Sequence, residues 1–469
     1  MKISIKIISS SKGYHAKVSN TLYSFFILLS CIILFNNCTK IENNDQLANS
    51  SNNSSVRASN KPNIIFIYAD DVGFEIPQYN GGQSYPTPNI NAMAAQGIRF
   101  IQTYASPLCS PSRFMMLTGK YNFRNYGEWG VMDPSKNKTI ANMLHDAGYK
   151  TLVAGKWQLD GGDTSIHKLG FDDYVVYEPF EHSGIAKGSR YKSPTFYRNG
   201  ALYAVDSLKG KYGEDVLVDY MSSFIDSNKK KPFFIWYSMD LCHYPFCPTP
   251  DDPEFKTWNN DVDVPDTMFF PSMVRYMDKK VGQVLSKVKS SGLANNTIVI
   301  FVGDNGTDKR VYSYFRNKLI EGGKAKPYAT GTQEGMLVWA PGRIAPNQVN
   351  ANLIDFTDYL PTIADMAGIP KPTTYGILDG TSFYPYLVGQ AGMPRDWVFC
   401  HYDQNENGEG RPIQRWVNNT NYKLFDTTGL FYNIKKDPYE ASPIPDSKLT
   451  PQEKATKASF QQVLATMHN

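Results

Sequence analysis

The stretch NIIFIYADD, Asn63 to Asp71, decides the fold. An uninterrupted apolar run closed by two carboxylates predicts a strand that is buried on both faces of a sheet. The next segment, TPNINAMAAQG from Thr87 to Gly97, begins with a Thr cap and a Pro in its first turn and closes on Gly, which predicts a helix. A strand followed by a helix is the repeating unit of an α/β fold.

The same alternation recurs along the chain. The further predicted elements are a helix at 139–147 stopped by Gly148, a strand TLVAGKW at 151–157, a strand PFFIWYSM from Pro232, a helix at about 272–290 and a strand in TIVIFVGDNG from Thr297. The predicted fold class is therefore α/β, with a mostly parallel central sheet flanked by helices on both faces. Beyond about Arg395, short strands and turns predict a smaller C-terminal α+β subdomain, closed by a helix from about Pro451.

The N-terminal 60 residues differ from the rest. Lysines precede an apolar run from Thr21 to Phe35 that is too short for a confident membrane span, so residues 1–38 are predicted to be an export signal. Cys31 and Cys38 lie near its end. We prefer a lipoprotein signal with the lipid anchor at Cys38 over one at Cys31, and ordinary secretion is the alternative. The expected location is the periplasm, free or membrane-anchored.

The chain thus divides into four predicted parts. These are the signal at 1–38, a flexible Asn- and Ser-rich tether at 39–60, a main domain at 61–395 and the C-terminal subdomain at 396–469. The net charge of +4 is spread over 469 residues without a basic run, so no nucleic-acid partner is expected. The few cysteines left after the signal exclude a disulfide scaffold, and Cys242 and Cys247 are expected to pack rather than pair.

Polar side chains follow several predicted strands. Ligands of open parallel sheets bind at the carboxyl ends of the strands. The residues at those ends include Asp70, Asp71, Asp304 and Asn305. Such oxygen ligands suit Ca²⁺ or Mg²⁺, and no His or Cys cluster has the spacing of a zinc site.

The stretch CSPSRFMMLTG, Cys109 to Gly119, resembles the signature of the formylglycine-dependent sulfatases of the alkaline phosphatase superfamily, in which Cys-x-Pro-Ser-Arg precedes Leu-Thr-Gly. Other segments resemble the family in the same order, namely YADDVGF, TPNINAMAAQGIRF, AGKW, the His-x-Pro at His243, GDNG, IEGGK, DFTDYLPTIADMAG and LFYNIKKDPYE. The resemblance covers Asn63 to Glu440. It implies an alkaline-phosphatase-like fold and the hydrolysis of sulfate esters.

The resemblance also implies a cofactor and a set of site residues. Cys109 would be converted by a formylglycine-generating enzyme into formylglycine, whose hydrate is the nucleophile. The implied ligands of Ca²⁺, or alternatively Mg²⁺, are Asp70, Asp71, Asp304, Asn305 and the formylglycine oxygen at position 109. Arg113 would orient the hydrate. Lys156 and Lys324 would bind the sulfate, and His243 would protonate the leaving oxygen.

The chain departs from the family pattern at two places. Gln158 stands where the family usually has a His after Gly-Lys-Trp, and an amide cannot act as a base. Either another group serves as the base, or Gln158 holds a hydroxyl while the intermediate breaks. After Lys324, KPYATGTQEGM replaces the common Gly-x-Arg-Val-Pro. Both changes indicate a divergent subfamily.

Three hypotheses of function follow. The first is a sulfatase that acts on a sulfated glycan or a small sulfated sugar. The second is a phosphodiester or phosphonate monoester hydrolase of the same superfamily. The third, motivated by Gln158, is a non-catalytic glycan-binding relative, and the intact Cys109 and Arg113 weigh against it. His182, Arg190 and His401 are candidates for residues that face the substrate.

Overall fold

A large central sheet forms the core of the protein. The computed structural model describes residues 61–124, 130–177, 179–180, 188–404 and 410–468. In these ranges, the strands of the central sheet are β1 Asn63–Ala69, β2 Ile98–Tyr104, β3 Lys150–Lys156, β4 Asp173–Tyr177, β5 Tyr197–Arg198, β6 Ala201–Leu202, β7 Phe233–Ser238, β8 Thr297–Gly303, β11 Gln333–Trp339, β12 Gln348–Asn350 and β13 Ile354–Asp355. A separate hairpin joins β9 Tyr312–Phe315 to β10 Lys318–Glu321.

The middle of this sheet is parallel. The strand order is β12-β2-β11-β8-β1-β7-β3-β4-β5-β6, with β13 paired to β2. Strand β1 pairs in parallel with both β7 and β8, so that Ile64 lies opposite Phe234 on one side and Ile298 on the other. A strand enclosed on both edges and both faces is shielded from water, which explains its mostly apolar sequence. Strand β11 runs antiparallel to both β8 and β2.

Helices cover both faces of the sheet. They are α1 Pro88–Ala95, α2 Cys109–Thr118, α3 Ile140–Asp146, α4 Gly162–Lys168, α5 Val205–Leu208, α6 Gly213–Asn228, α7 Phe270–Ser290, α8 Ala329–Thr332, α9 Tyr359–Ala367, α10 Tyr384–Leu387 and α11 Pro451–Thr466. Ile64 and Phe66 pack into one core with α2, α3 and α9, whereas Ile65 and Ile67 pack into a second core with α1, α6 and α7. The alternating side chains of β1 therefore supply two hydrophobic layers.

The Ser-Pro-Ser-Arg sequence after Cys109 lies in the first turn of α2, where Pro111 is tolerated because its missing N–H would have no intrahelical partner. One local expectation was wrong in detail. Thr87 does not cap α1. Its hydroxyl oxygen accepts a hydrogen bond from the backbone N–H of Gln78 instead, at 3.1 Å. Thr139, by contrast, forms the capping box of α3 together with Asn142.

A second, antiparallel sheet follows the central one, which confirms the predicted fold class. Within the described residues its strands are β14 Val398–Tyr402, β15 Gln414–Asn418, β16 Lys423–Phe425 and β17 Phe431–Tyr432. The boundary at 395/396 stays a prediction. The predicted signal and tether, with Cys31 and Cys38, lie outside the described residues. No helix in the described ranges is both long and apolar enough to cross a membrane.

Candidate active site

The ends of β1 and β8 lie level at one edge of the sheet. Ala69 is in register with Gly303, so Asp70 and Asp71 come to lie beside Asp304. The backbone N–H of Asp304 donates to the Ala69 carbonyl at 3.0 Å, and the N–H of Asp71 donates to Asp304 Oδ1 at 3.1 Å. Asp71 has a φ of 57°, and this left-handed turn brings its carboxylate back toward its neighbours.

Three oxygens of this acidic group are buried without a hydrogen-bond donor among the described residues. They are Asp70 Oδ1, Asp304 Oδ2 and Asn305 Oδ1. Asn305 uses its amide nitrogen to donate to Asp71 Oδ1 at 2.8 Å. Ligand atoms of Asp70, Cys109 and Asp304 lie within 4.8 Å of one another. Because buried oxygens without partners are costly, and because these are mostly hard donors, the residues fit a divalent cation such as Ca²⁺ or Mg²⁺.

The carboxyl groups have shifted pKa values. Burial, reinforced by the charge of Asp70, raises the pKa of Asp304 to about 8, although Arg113 opposes the shift. Burial also raises the pKa of Asp70, but the cationic groups around it, led by Lys156, outweigh this effect and hold the pKa below its usual range. The protein's cations therefore outweigh the burial of Asp70, whereas Arg113 does not outweigh the burial of Asp304.

Cys109 is the first residue of α2 and is 4% exposed. Its Sγ donates to Gln158 Oε1 at 3.4 Å, and Lys156 Nζ lies 3.6 Å from the sulfur. Lys156 Nζ also contacts Asp70 Oδ2 at 2.6 Å. Burial raises the pKa of the Cys109 thiol in spite of the nearby lysine. The side chain is thus not activated as a thiolate nucleophile.

Arg113 lies one turn further along α2 and is fully buried. Its Nη1 donates to the carbonyl of Lys156 at 2.7 Å and to Ser238 Oγ at 3.1 Å. Its Nη2 lies 3.5 Å from an oxygen of Asp70 and 3.5 Å from an oxygen of Asp304. The sequence did not identify Ser238, which reaches the site because β7 is the neighbour of β1.

Lys324 and His243 both lie near the carboxylate of Asp71. Lys324 Nζ lies 2.8 Å from Asp71 Oδ1, and His243 Nε2 lies 3.8 Å from Asp71 Oδ2. His243 Nδ1 is 2.5 Å from the carbonyl of Tyr244, which can only accept, so Nδ1 carries a proton and Nε2 faces the site. Burial and the charge of Lys324 lower the pKa of His243 well below its usual value.

All the side chains predicted for the site therefore lie together. Of the candidates for facing the substrate, Arg190 lies at the site, with Nη1 4.0 Å from Asp70 Oδ2. His401 instead packs against Phe123, with the ring centroids 5.8 Å apart. His182 lies outside the described residues. Sequence reasoning missed Asp240, which is buried and has neither carboxylate oxygen hydrogen-bonded in the described structure. Burial raises the pKa of Asp240 well above its usual value, although the charge of Arg190 opposes the shift.

Comparison with known proteins gives the family. Residues 62–369 match the profile of the sulfatase family. The chain belongs to the sulfatase family. Residues 324–468 also match the profile named for the C-terminal part of N-sulphoglucosamine sulphohydrolase. This sulfatase-family chain is 30% identical over 351 residues to N-acetylgalactosamine-6-sulfatase of Mus musculus, an alignment that covers 67% of the chain and 64% of the relative. The chain thus spans less than two thirds of that relative's length.

Solved structures share the fold of this sulfatase-family chain. A structure described as BT4656 in complex with its substrate D-glucosamine-2-N,6-O-disulfate superposes with a TM-score of 0.69 at 20% identity, covering 86% of this chain and 97% of the other. The phosphonate monoester hydrolase of Agrobacterium radiobacter superposes with a TM-score of 0.63 at 17% identity, covering 87% and 95%. The predicted family and fold class are confirmed.

Proposed function

We propose that the chain is an exported sulfatase that hydrolyses sulfate esters on a sulfated carbohydrate. The observation that carries this proposal is the position of Cys109, whose sulfur lies within 4.8 Å of a carboxylate oxygen of Asp70 and of Asp304, and 3.6 Å from Lys156 Nζ. A thiol with a raised pKa is poorly suited to attack from there. After oxidation by a formylglycine-generating enzyme, the same position would carry an aldehyde, whose hydrate would supply a nucleophilic oxygen.

A bound Ca²⁺, or alternatively Mg²⁺, would neutralise the oxygens of the sulfate and polarise the group at position 109. The residues that would hold the cation are Asp70, Asp71, Asp304 and Asn305, together with the modified residue 109. The unpartnered oxygens of Asp70, Asp304 and Asn305 support this assignment. Arg113 bridges Asp70 and Asp304, and thereby fixes the carboxylates relative to α2.

The remaining site residues would each bind or protonate a different part of the substrate. Lys156 and Lys324 would contact the sulfate oxygens from two sides and balance their charge. His243 would protonate the departing alcohol through Nε2. This requires a second proton on the ring, because Nδ1 already donates to the Tyr244 carbonyl, and the negative charge of the bound sulfate would offset the burial and the Lys324 charge that lower the pKa of His243. Gln158 would hold a hydroxyl of the hydrate by a hydrogen bond, in place of the family's usual His.

The substrate and the setting are part of the same proposal. The relatives are named for sulfated amino sugars, which supports a sulfated glycan or a small sulfated sugar as the substrate. The apolar N-terminal run supports export to the periplasm, either free or anchored by a lipid on Cys38 or Cys31.

A phosphonate monoester or phosphodiester hydrolase is the second candidate. The likeness to the phosphonate monoester hydrolase of Agrobacterium radiobacter favours it, because a cation and two lysines can serve a phosphoryl group as well as a sulfuryl group. A non-catalytic glycan-binding relative is the third, and it would need neither Cys109 nor Lys156.

The test is a substrate panel assayed with protein matured by a co-expressed formylglycine-generating enzyme. We expect a higher kcat/KM for at least one sulfated mono- or oligosaccharide than for any phosphonate monoester or phosphodiester. Peptide mass spectrometry should find an aldehyde at position 109, and Cys109→Ala should fold yet turn over nothing. Preference for a phosphonate would support the second candidate, and binding of glycans without any turnover would support the third.

A further inference from the structure

A polar cavity of about 370 Å³ lies beside the acidic group. Of the residues that line it, we call the buried Arg190 and Tyr191 its floor, and the more exposed Trp258 and Asp261 its rim. Its volume falls in the range of small-molecule sites, roughly 300–1,000 Å³.

The floor of this cavity continues into the proposed active site. The guanidinium of Arg190 stacks on the Tyr177 ring at 4.7 Å and reaches to within 4.0 Å of Asp70. The hydroxyl oxygen of Tyr191 lies 2.7 Å from the carbonyl oxygen of Asp240 and 2.5 Å from that of His243, and its proton is donated to this pair of acceptors. A ligand whose sulfate lies at the acidic group would therefore extend its remaining part over Arg190 and into this cavity.

The two walls of the cavity are tied together. Lys192 Nζ donates to three carbonyls of the segment 255–258, those of Phe255 at 2.6 Å, Lys256 at 3.0 Å and Trp258 at 2.8 Å. In the other direction, Asn260 Nδ2 donates to the Lys192 carbonyl at 2.8 Å. Walls held in this way lose little conformational freedom when a ligand binds.

The rim carries the aromatic ring of Trp258 and the carboxylate of Asp261. The Trp258 indole nitrogen donates to Asn260 Oδ1 at 3.1 Å, which fixes the ring. Asp263 already accepts from the backbone of Asn259 at 2.6 Å. Asp261 is exposed, and its carboxylate accepts no hydrogen bond from the described residues. An aromatic face beside a free carboxylate suits a ring that carries hydroxyl or amino groups.

We propose that this cavity binds the sugar ring of the substrate, with Arg190 beneath it and the hydroxyl or amino groups of the ring donating to Asp261. Its negative rim selects a ring that carries no second anionic group on that side, because a sulfate or carboxylate there would lie next to the Asp261 carboxylate. This inference rests on the proposed function, since it assumes that the sulfate ester lies at the acidic group.

The test is calorimetric titration of Cys109→Ala protein in Ca²⁺, which removes turnover from the measurement. The probes are inorganic sulfate, D-glucosamine 6-sulfate, N-acetyl-D-galactosamine 6-sulfate and D-glucosamine-2-N,6-O-disulfate. We expect at least one monosulfated sugar to bind tenfold or more tightly than inorganic sulfate. Adding Asp261→Asn should reduce the affinity of that sugar relative to inorganic sulfate about tenfold. It should also reduce the difference in Kd between the mono- and disulfated glucosamines.

The matched control is Asp251→Asn. This carboxylate is also exposed but pairs with Lys279 at 2.7 Å, and the control variant should keep the full advantage of the sugar. Equal affinity for sulfate and for every sugar, or an unaltered advantage in Asp261→Asn, would overturn the proposal. Failure of the proposed function appears separately, as matured protein that hydrolyses no sulfate ester, because the binding result does not depend on turnover.

Discussion

Gln158 is held at the mouth of position 109 by its backbone as well as by its side chain. It adopts a φ of 48°, which is uncommon for a residue other than glycine, and its carbonyl accepts from Ser110 Oγ at 3.3 Å. Because the backbone fixes the position, an exchange of the family His for Gln changes the chemistry without moving the side chain away from residue 109.

We expect Gln158→Ala to lower kcat about tenfold, since a hydrogen bond to the reacting group is lost. An amide does not titrate near neutrality, so the apparent pKa values of the pH profile should stay the same. Gln158→His should instead add a titrating group to that profile. A Gln158→Ala variant with wild-type kinetics, and no accumulation of a sulfated enzyme in a burst experiment, would make Gln158 a packing residue.

The contribution of His243 to kcat is expected to increase with the basicity of the leaving group. A sugar alkoxide needs a proton to depart, whereas 4-nitrophenolate is a stable anion. His243→Gln should therefore reduce kcat on a sulfated sugar by about 10²–10⁴-fold, and on 4-nitrophenyl sulfate by much less. Steady-state kinetics on the two substrates measure the difference. Equal losses on both would mean that His243 binds the sulfate rather than protonating the alcohol.

At the scale of elements, the small C-terminal sheet holds the segment that carries Lys324. The Tyr402 hydroxyl, from β14, donates to the carbonyl of Ala325 at 2.7 Å, and Lys423 Nζ, from β16, donates to that of Pro327 at 2.6 Å. Ala325 has a φ of 64° and donates its N–H to the Pro107 carbonyl at 3.0 Å. The second sheet thus positions the segment that carries Lys324, a residue of the proposed site.

Tyr402→Phe is expected to lower kcat/KM about fivefold to tenfold with little change in Tm. The lost hydrogen bond leaves the packing of the ring in place but frees the Ala325 segment, and with it Lys324. Tyr422→Phe is the matched control, because its hydroxyl contacts Glu453 of α11 at 3.3 Å and not this segment. If both variants had the same kinetics as the wild type, the sheet would have no positioning role.

The elements that the sequence predicts well are those with a local signal. The apolar run of β1 predicts a strand, and the Thr139 cap of α3 predicts the start of a helix, each from a few neighbouring residues. The antiparallel direction of β11 has no such local signal, because an apolar strand sequence does not indicate which strands it pairs with or in which direction. The convergence of Asp70, Asp71, Asp304 and Asn305 followed from their positions at the ends of parallel strands, whereas that of Cys109, Arg113 and Lys324 was predictable only through the family resemblance. Asp240 was missed because a single Asp before a loop resembles an ordinary turn residue.

At the scale of the whole molecule, the folded state gathers carboxylates that the unfolded chain keeps apart. Asp70, Asp71 and Asp304 are each 0% exposed. Burial of like charges opposes folding, and a cation that binds only the folded state offsets this cost.

The Tm should therefore depend on the concentration of Ca²⁺. We expect chelation to lower the Tm and abolish activity, and Ca²⁺ at 100 times its Kd to stabilise the fold by about 2.7 kcal/mol. Asp304→Asn should shrink this shift and lower the metal content together, as measured by differential scanning calorimetry and elemental analysis. Full activity after exhaustive chelation would contradict the cation site.

The positions of the site residues along the chain determine the order in which they leave the ribosome. The hydrogen bond between Asp71 and Lys324 joins residues 253 positions apart, and Tyr402 follows later still. Cys109 leaves the ribosome long before these partners exist, yet it ends 4% exposed at the start of a helix. Under the proposed function, an enzyme that converts Cys109 would need this stretch accessible, so the conversion would have to precede the folding of the last third of the chain.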